Sequence, residues 1–187
     1  MKDFIVYYLK QNLNIIAQRS YVHENGFYKI VLDKSSTHQL RLQIWNDDFK
    51  NDENIHNHRF HFVSELLIGK YKEEIYQKSE YGEEFYTYNY EPSNELSYSL
   101  KKIDNIKICK EKTLEHSQGD TISRNASMFH RVIPMTSEVV SLFLTTGNIS
   151  NNCMVLNEKP INQFIEARTM TDAEIQYLVK NYLKIEL

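Results

Sequence analysis

Strand-length segments that alternate apolar and polar side chains recur along most of this chain, and few folds can satisfy such a pattern. "FYKIVLD" sets Tyr28, Ile30 and Leu32 on one face. "LRLQIW" sets Leu40, Leu42 and Ile44 against Arg41, Gln43 and Trp45. Side chains leave a strand with period two, so each such segment has one face to bury. Further strand patterns run over 62–68, 71–77, 84–90, 95–102, 105–114, 120–124, 129–135 and 139–146, with Gly69, Gly82, Pro92, Gly119 and Gly147 between them. Many short strands at this spacing predict an all-β sandwich or barrel.

The two ends read differently. Phe4, Ile5, Tyr8, Leu9, Leu13, Ile16 and Ala17 recur at helical spacing, which predicts an amphipathic helix within residues 1–20. Near the other end, Thr171 and Glu174 form a capping box before the stripe Ile175, Leu178, Val179 and Tyr182. The expectation is one domain over 1–187: an N-terminal helix, a β-barrel at 27–156 and a C-terminal helix at 171–185. The acidic loop at 46–54 and the charge-rich segment "YKEEIYQKSEYGEEF" (71–85) read as a solvated connection and a solvated hairpin. The stripe Tyr86, Tyr88 and Tyr90 reads as sheet packing or a partner surface.

Composition narrows the classes. Of the aromatics, 13 are Tyr, which suits strands and half-wet cavities. A net charge of -3 gives no electrostatic case for a nucleic acid or an anionic membrane surface. No apolar run approaches the roughly 20 residues that span a bilayer, and the start "MKDFIVYYLKQN" does not read as a signal peptide. Cys109 and Cys153 are too few for a disulfide framework and read as free thiols, so the expected compartment is the cytoplasm.

The histidines carry the chemistry. "IHNHRFHF" (55–62) holds three of the chain's 7 histidines. On a strand, His56 and His58 project to one face and can converge on an ion, whereas His61 has the opposite parity and is expected at the surface or supporting the site. A third ligand must come from elsewhere. His130 leads a strand after the turn "RNAS" in "GDTISRNASMFHRV" (119–132), a good position for pointing into a barrel mouth. His116 lies in the polar run "LEHSQGD", and His23 and His38 lie in turn regions expected at the surface.

These residues resemble the two-motif signature of the cupin superfamily. The paired histidines and a later glycine match its first motif. Gly119, Asn125, Ser127 and His130 keep the spacing of Gly-x5-Pro-x-Gly-x2-His, with Asn125 and Ser127 replacing its Pro and Gly by other turn formers. The resemblance covers residues 27–147 as a strand pattern and implies a double-stranded β-helix, a jelly-roll-like barrel flanked by the two helices. It also implies a divalent metal on His56, His58 and His130. The Glu that often completes a cupin site is Val63 here, with Glu65 two residues further on as a distant candidate. The open three-His set resembles that of the thiol dioxygenase cupins, and so implies Fe(II), with Zn, Ni or Mn also compatible.

Three functions remain open from the residues: an Fe(II)-dependent oxygenase or dioxygenase acting on a small polar substrate, a metal-free sugar-nucleotide isomerase or epimerase, and a non-catalytic ligand-binding cupin. Glu65 and Tyr71 are the catalytic candidates, and Arg41 and His61 the substrate-binding ones. Arg41 would clamp a carboxylate or phosphate if its face is the barrel interior. The expected partner is a small molecule, and cupins are frequently dimers, so a homodimer is expected too.

Overall fold

The structure, a computed structural model, describes residues 2–47, 53–93, 96–151 and 153–185. Two helices and fourteen strands follow in order: α1 (Lys2–Arg19), β1 (Tyr21–His23), β2 (Phe27–Lys34), β3 (His38–Asn46), β4 (Ile55–His56), β5 (Phe62–Ile68), β6 (Lys70–Pro92), β7 (Ser97–Lys102), β8 (Ile106–Ser117), β9 (Thr121–Arg124), β10 (Phe129–Pro134), β11 (Glu138–Thr146), β12 (Met154–Asn157), β13 (Phe164–Glu166), β14 (Arg168–Thr169) and α2 (Asp172–Leu183). None of the described helices is long and apolar enough to cross a membrane.

The strands form two antiparallel sheets. Number β3, β4, β5, β6, β8, β9, β10 and β11 in chain order from first to eighth. One sheet then contains the run first-eighth-third-sixth (β3-β11-β5-β9), flanked by β2, β1 and β14. The other contains second-seventh-fourth-fifth (β4-β10-β6-β8), with β12, β7 and β13 alongside. Consecutive strands alternate between sheets except the fourth and fifth, β6 and β8, which pair with each other, as in a jelly roll, the architecture that the cupin resemblance implies.

The alternation in β2 and β3 is as predicted, but the apolar face points away from the barrel. Ile30, Leu32, Leu42, Ile44 and Val140 pack under Ile5, Leu9 and Ile16 of α1 and Ile175, Leu178 and Val179 of α2. Burying one such side chain stabilises the fold by roughly 1.5–3 kcal/mol. The alternate positions Arg41, Gln43 and Trp45 therefore face inward, where a second, smaller apolar cluster of Phe27, Trp45, Leu66, Tyr71, Ile122, Val132 and Val139 fills part of the barrel.

The helix ends follow local chemistry. The Thr171 hydroxyl accepts from the Glu174 N–H at 3.2 Å and the Glu174 carboxylate accepts from the Thr171 N–H at 2.8 Å, completing the predicted box. Tyr182 extends the stripe, its hydroxyl accepting from the Asn46 amide at 2.7 Å. Helix α1 breaks at Asn12, whose φ is -130° and whose amide donates to the Tyr8 carbonyl at 3.0 Å. A side chain that bonds the backbone competes with the helical ladder, and Phe4, placed on the buried stripe from sequence, is 53% exposed.

Two segments differ from their sequence reading. Residues 71–85 are not a solvated hairpin. They belong to the single long strand β6, bulged against β8 between Lys78 and Glu83. At the bulge a Cβ on Gly82 would lie 2.3 Å from the Ile108 carbonyl oxygen, so only glycine fits. The charges of that segment are not all solvated either: Glu73 and Glu74 are buried. Of the acidic loop, residues 48–52 lie outside the described residues, but Glu53 is turned inward and buried.

Candidate metal centre

His56 closes β4 and pairs across the ladder with His130 of β10. That register alone sets two imidazoles side by side. His58 arrives by a different route from the predicted one, because the chain leaves the strand after His56. The Asn57 N–H donates to the Met154 carbonyl at 3.1 Å and the His58 N–H to the Ala126 carbonyl at 2.8 Å. These bonds, with the buried Asn57 side chain accepting from the Met154 N–H at 2.6 Å, fix the loop and aim His58 at its neighbours. Ring centroids are 4.7 Å apart for His56–His58, 4.9 Å for His56–His130 and 5.1 Å for His58–His130.

The facing ring nitrogens of all three lie within 4.8 Å of one another. The outer nitrogens of His56 and His130 are committed elsewhere. His56 Nδ1 is 2.9 Å from the Asn54 carbonyl oxygen, and His130 Nδ1 is 2.8 Å from Glu73 Oε1. A carbonyl or carboxylate can only accept, so both Nδ1 atoms carry the proton and both Nε2 atoms offer a lone pair. His58 Nε2 lies 2.9 Å from His130 Nε2. Two nitrogens sharing an ion at ~2.1 Å each, at a right angle, would be ~3 Å apart. Burial, then the neighbouring positive charges, pushes His56 down to about 3 and His58 well below its ordinary value, so both stay neutral, the state that binds a metal.

Glu73 anchors the far side. It is 1% exposed and accepts from His130, from His116 Nε2 at 3.0 Å and from the guanidinium of Arg124, at 3.0 Å through Nε and again through Nη2. Burial pushes its carboxyl up, but the bonds from His130 and Arg124 outweigh this and hold it at about 2. Sequence reading missed Glu73. Its parity with Tyr71 and Ile75 on β6, both buried, was the available signal. His116, read as a loop residue, lies on β8 against Tyr71 at 5.1 Å between centroids.

The cluster lies in a cavity of about 160 Å³ between the sheets. Tyr71 and Arg41 line it, as the candidate roles require. Glu65 does not: Phe62, Ser64 and Leu66 take the inward positions of β5, and the bulge of this strand falls at Leu67, opposite Val140 and Ser141 of β11 and beyond Glu65. His61 is exposed and outside the cavity. Its Nδ1 accepts from the Ala126 N–H at 3.1 Å, pinning the turn that leads to His130. His23, expected at the surface, is half-buried and lines the cavity, stacked on Phe27 at 4.5 Å. So does Glu53, whose carboxylate accepts from the Val132 N–H at 2.6 Å and is pushed up to about 7 by burial.

No family model matches the chain, and no curated protein matches it. Solved structures similar to it include KdgF from Halomonas sp., at 9% identity and TM-score 0.44, covering 69% of this chain and 87% of that one. A cupin superfamily protein from Desulfitobacterium hafniense DCB-2 shows 11% identity and TM-score 0.40, covering 70% and 86%. Hydroquinone 1,2-dioxygenase from Sphingomonas sp. TTNP3 shows 6% identity and TM-score 0.43, covering 64% and 65%. The fold is a cupin fold. Its strand order carries that statement, and similarity at this level says nothing about function.

Proposed function

We propose that this cupin is an enzyme that binds a divalent metal through His56, His58 and His130, and that it is an Fe(II)-dependent oxygenase acting on a small polar substrate. The observation that carries the reading is the pair of oriented Nδ1–H groups, on His56 and His130, which leave their Nε2 lone pairs facing His58. Bonds of this kind to the outer nitrogen are what fix and strengthen metal-binding imidazoles. A bound ferrous ion would supply redox chemistry and open positions for a chelating substrate.

The chain's own residues supply the rest. Glu73 holds the His130 ring in place. Burial, then the Glu73 charge, raises the Tyr71 phenol, so it stays protonated and can donate a hydrogen bond within the cavity. Phe62 and Phe143, stacked at 4.3 Å, form an apolar wall beside His58 and keep water from that side.

A second reading has its own support. The Glu73–His130 pair, with Tyr71 in the same cavity, is also the composition of a metal-free base and acid, as an isomerase or epimerase would use. Metal analysis of anaerobically purified protein separates them. Near-stoichiometric iron, lost together with activity in His58→Ala, is the expected result. Activity retained in the metal-free protein would sink the oxygenase reading.

A further inference from the structure

Beside the cavity runs a shallower groove of about 550 Å³. The two share Tyr21, Lys29, Arg41, Arg59, Phe60 and Tyr90 along their common border. Three of these six are cations, and among the described residues no Asp or Glu lines the groove. The chain as a whole is acidic, with net charge -3, so this border is a local reversal of sign.

Arg41 is the deepest of the three, at 5% exposure. Its guanidinium lies over Phe143 at 4.2 Å and donates through Nη1 to Gln39 at 2.8 Å, but the buried Nε has no partner among the described residues. On the adjoining strand β11, the Ser141 hydroxyl lines the same cavity and is also buried without a hydrogen-bond partner among the described residues. An unmet buried donor is costly, and more so on a charged group. Two of them on one wall are the complement of a missing acceptor. Arg59 lies over Tyr90 at 4.9 Å and the Lys29 ammonium donates to the Tyr21 hydroxyl at 2.6 Å, so both heads are held at the border rather than swept into solvent.

We propose that Arg41, Ser141, Lys29 and Arg59 form an oxyanion site, and that the substrate is an organic anion whose carboxylate or phosphate sits there while its other end reaches His56, His58 and His130. The reactive end rests on the metal-centre reading above. The oxyanion site needs no metal. A guanidinium matches the two oxygens of either group, and the groove gives such a ligand room that the inner cavity does not.

The test is calorimetric titration of the whole protein, metal-free and Fe(II)-loaded, with acetate, succinate, inorganic phosphate and glycerol 3-phosphate. Saturable binding is expected for at least one pair, carboxylates or phosphates, and the tighter pair identifies the group. Affinity should fall about 30-fold or more in Arg41→Gln. If that variant does not fold, Arg59→Gln and Lys29→Gln, at half-buried positions, should each weaken binding about threefold or more. No saturable binding of any probe by the wild type, or affinities unchanged in the variants that fold, overturns the proposal. Metal content is read on the same samples. Metal uptake without anion binding defeats this inference alone, and anion binding without metal uptake defeats the metal-centre reading alone.

Discussion

Glu73 accepts hydrogen bonds from three different side chains at 1% exposure, and it carries the charge that His130, His116 and Arg124 all face. Removing one member of such a buried set strands the others. Glu73→Gln keeps the shape and one acceptor but removes the charge. Its unfolding free energy should fall by about 3 kcal/mol or more, and its metal affinity about 10- to 100-fold. Urea unfolding and a metal titration check the two effects, and unchanged affinity would show that Glu73 does not tune His130. His61 makes the contrast: three residues from His58, its ring is bonded to the turn at Ala126 and lies outside the cavity. Nearness in sequence grouped the three histidines of "IHNHRFHF", but backbone bonds separate them. That His56 and His130 meet was implied by the family resemblance, whereas the ladder register that sets them side by side is seen only in the fold. The placement of His58 rests on carbonyls of Ala126 and Met154, remote in sequence, which no local pattern signals.

At the scale of elements, period-two alternation was a reliable guide to strands and a poor one to direction. It marked β2, β3, β5, β10 and β11 well, because each has one face under apolar cover. It missed β1, β4, β12, β13 and β14, none longer than 4 residues, which are too short to show a period. It also divided β6, whose bulge admits four unpaired residues, 79–82, and breaks the alternation. Which face pointed inward was not legible, because a strand between a cavity and two helices can bury its apolar side against either. The turn from β5 into β6 gives an element-scale prediction. Gly69 has φ +84°, and a Cβ there would lie 2.1 Å from the Glu138 carbonyl oxygen. Gly69→Ala should therefore destabilise the protein by about 1–3 kcal/mol or more, visible as a lowered Tm. An unchanged Tm would mean that the turn between the sheets yields more readily than its packing indicates.

For the molecule as a whole, pH adds these local fields together. Glu73 and Glu74 are held at about 2 in the fold, so the stability they contribute is present above their unfolded value near 4.5 and is lost as pH falls towards 2. His56 is held at about 3, and His58 and His23 are lowered as well. The unfolded chain takes up their protons first, so they too favour the fold more as pH rises, from about 3 towards 6.5 for His56. Glu53, raised to about 7, works in the opposite sense between 4.5 and 7. The metal-free protein should thus lose stability gently from pH 6.5 to 4.5 and steeply below it. Urea midpoints across that range check this, and a flat profile down to pH 3 would contradict it.

The inverted polarity of β2 and β3 has a consequence for change over time. The side chains that secure the sheet to α1 and α2 and those that line the cavity occupy alternate positions of the same strands, on opposite sides. A substitution at Lys29, Arg41 or Gln43 alters what the cavity accepts without opening a void beneath the helices. A substitution at Ile30, Leu42 or Ile44 does the reverse. Selection, natural or in the laboratory, can therefore revise ligand preference and durability in this scaffold as two nearly separate traits, written on one stretch of chain.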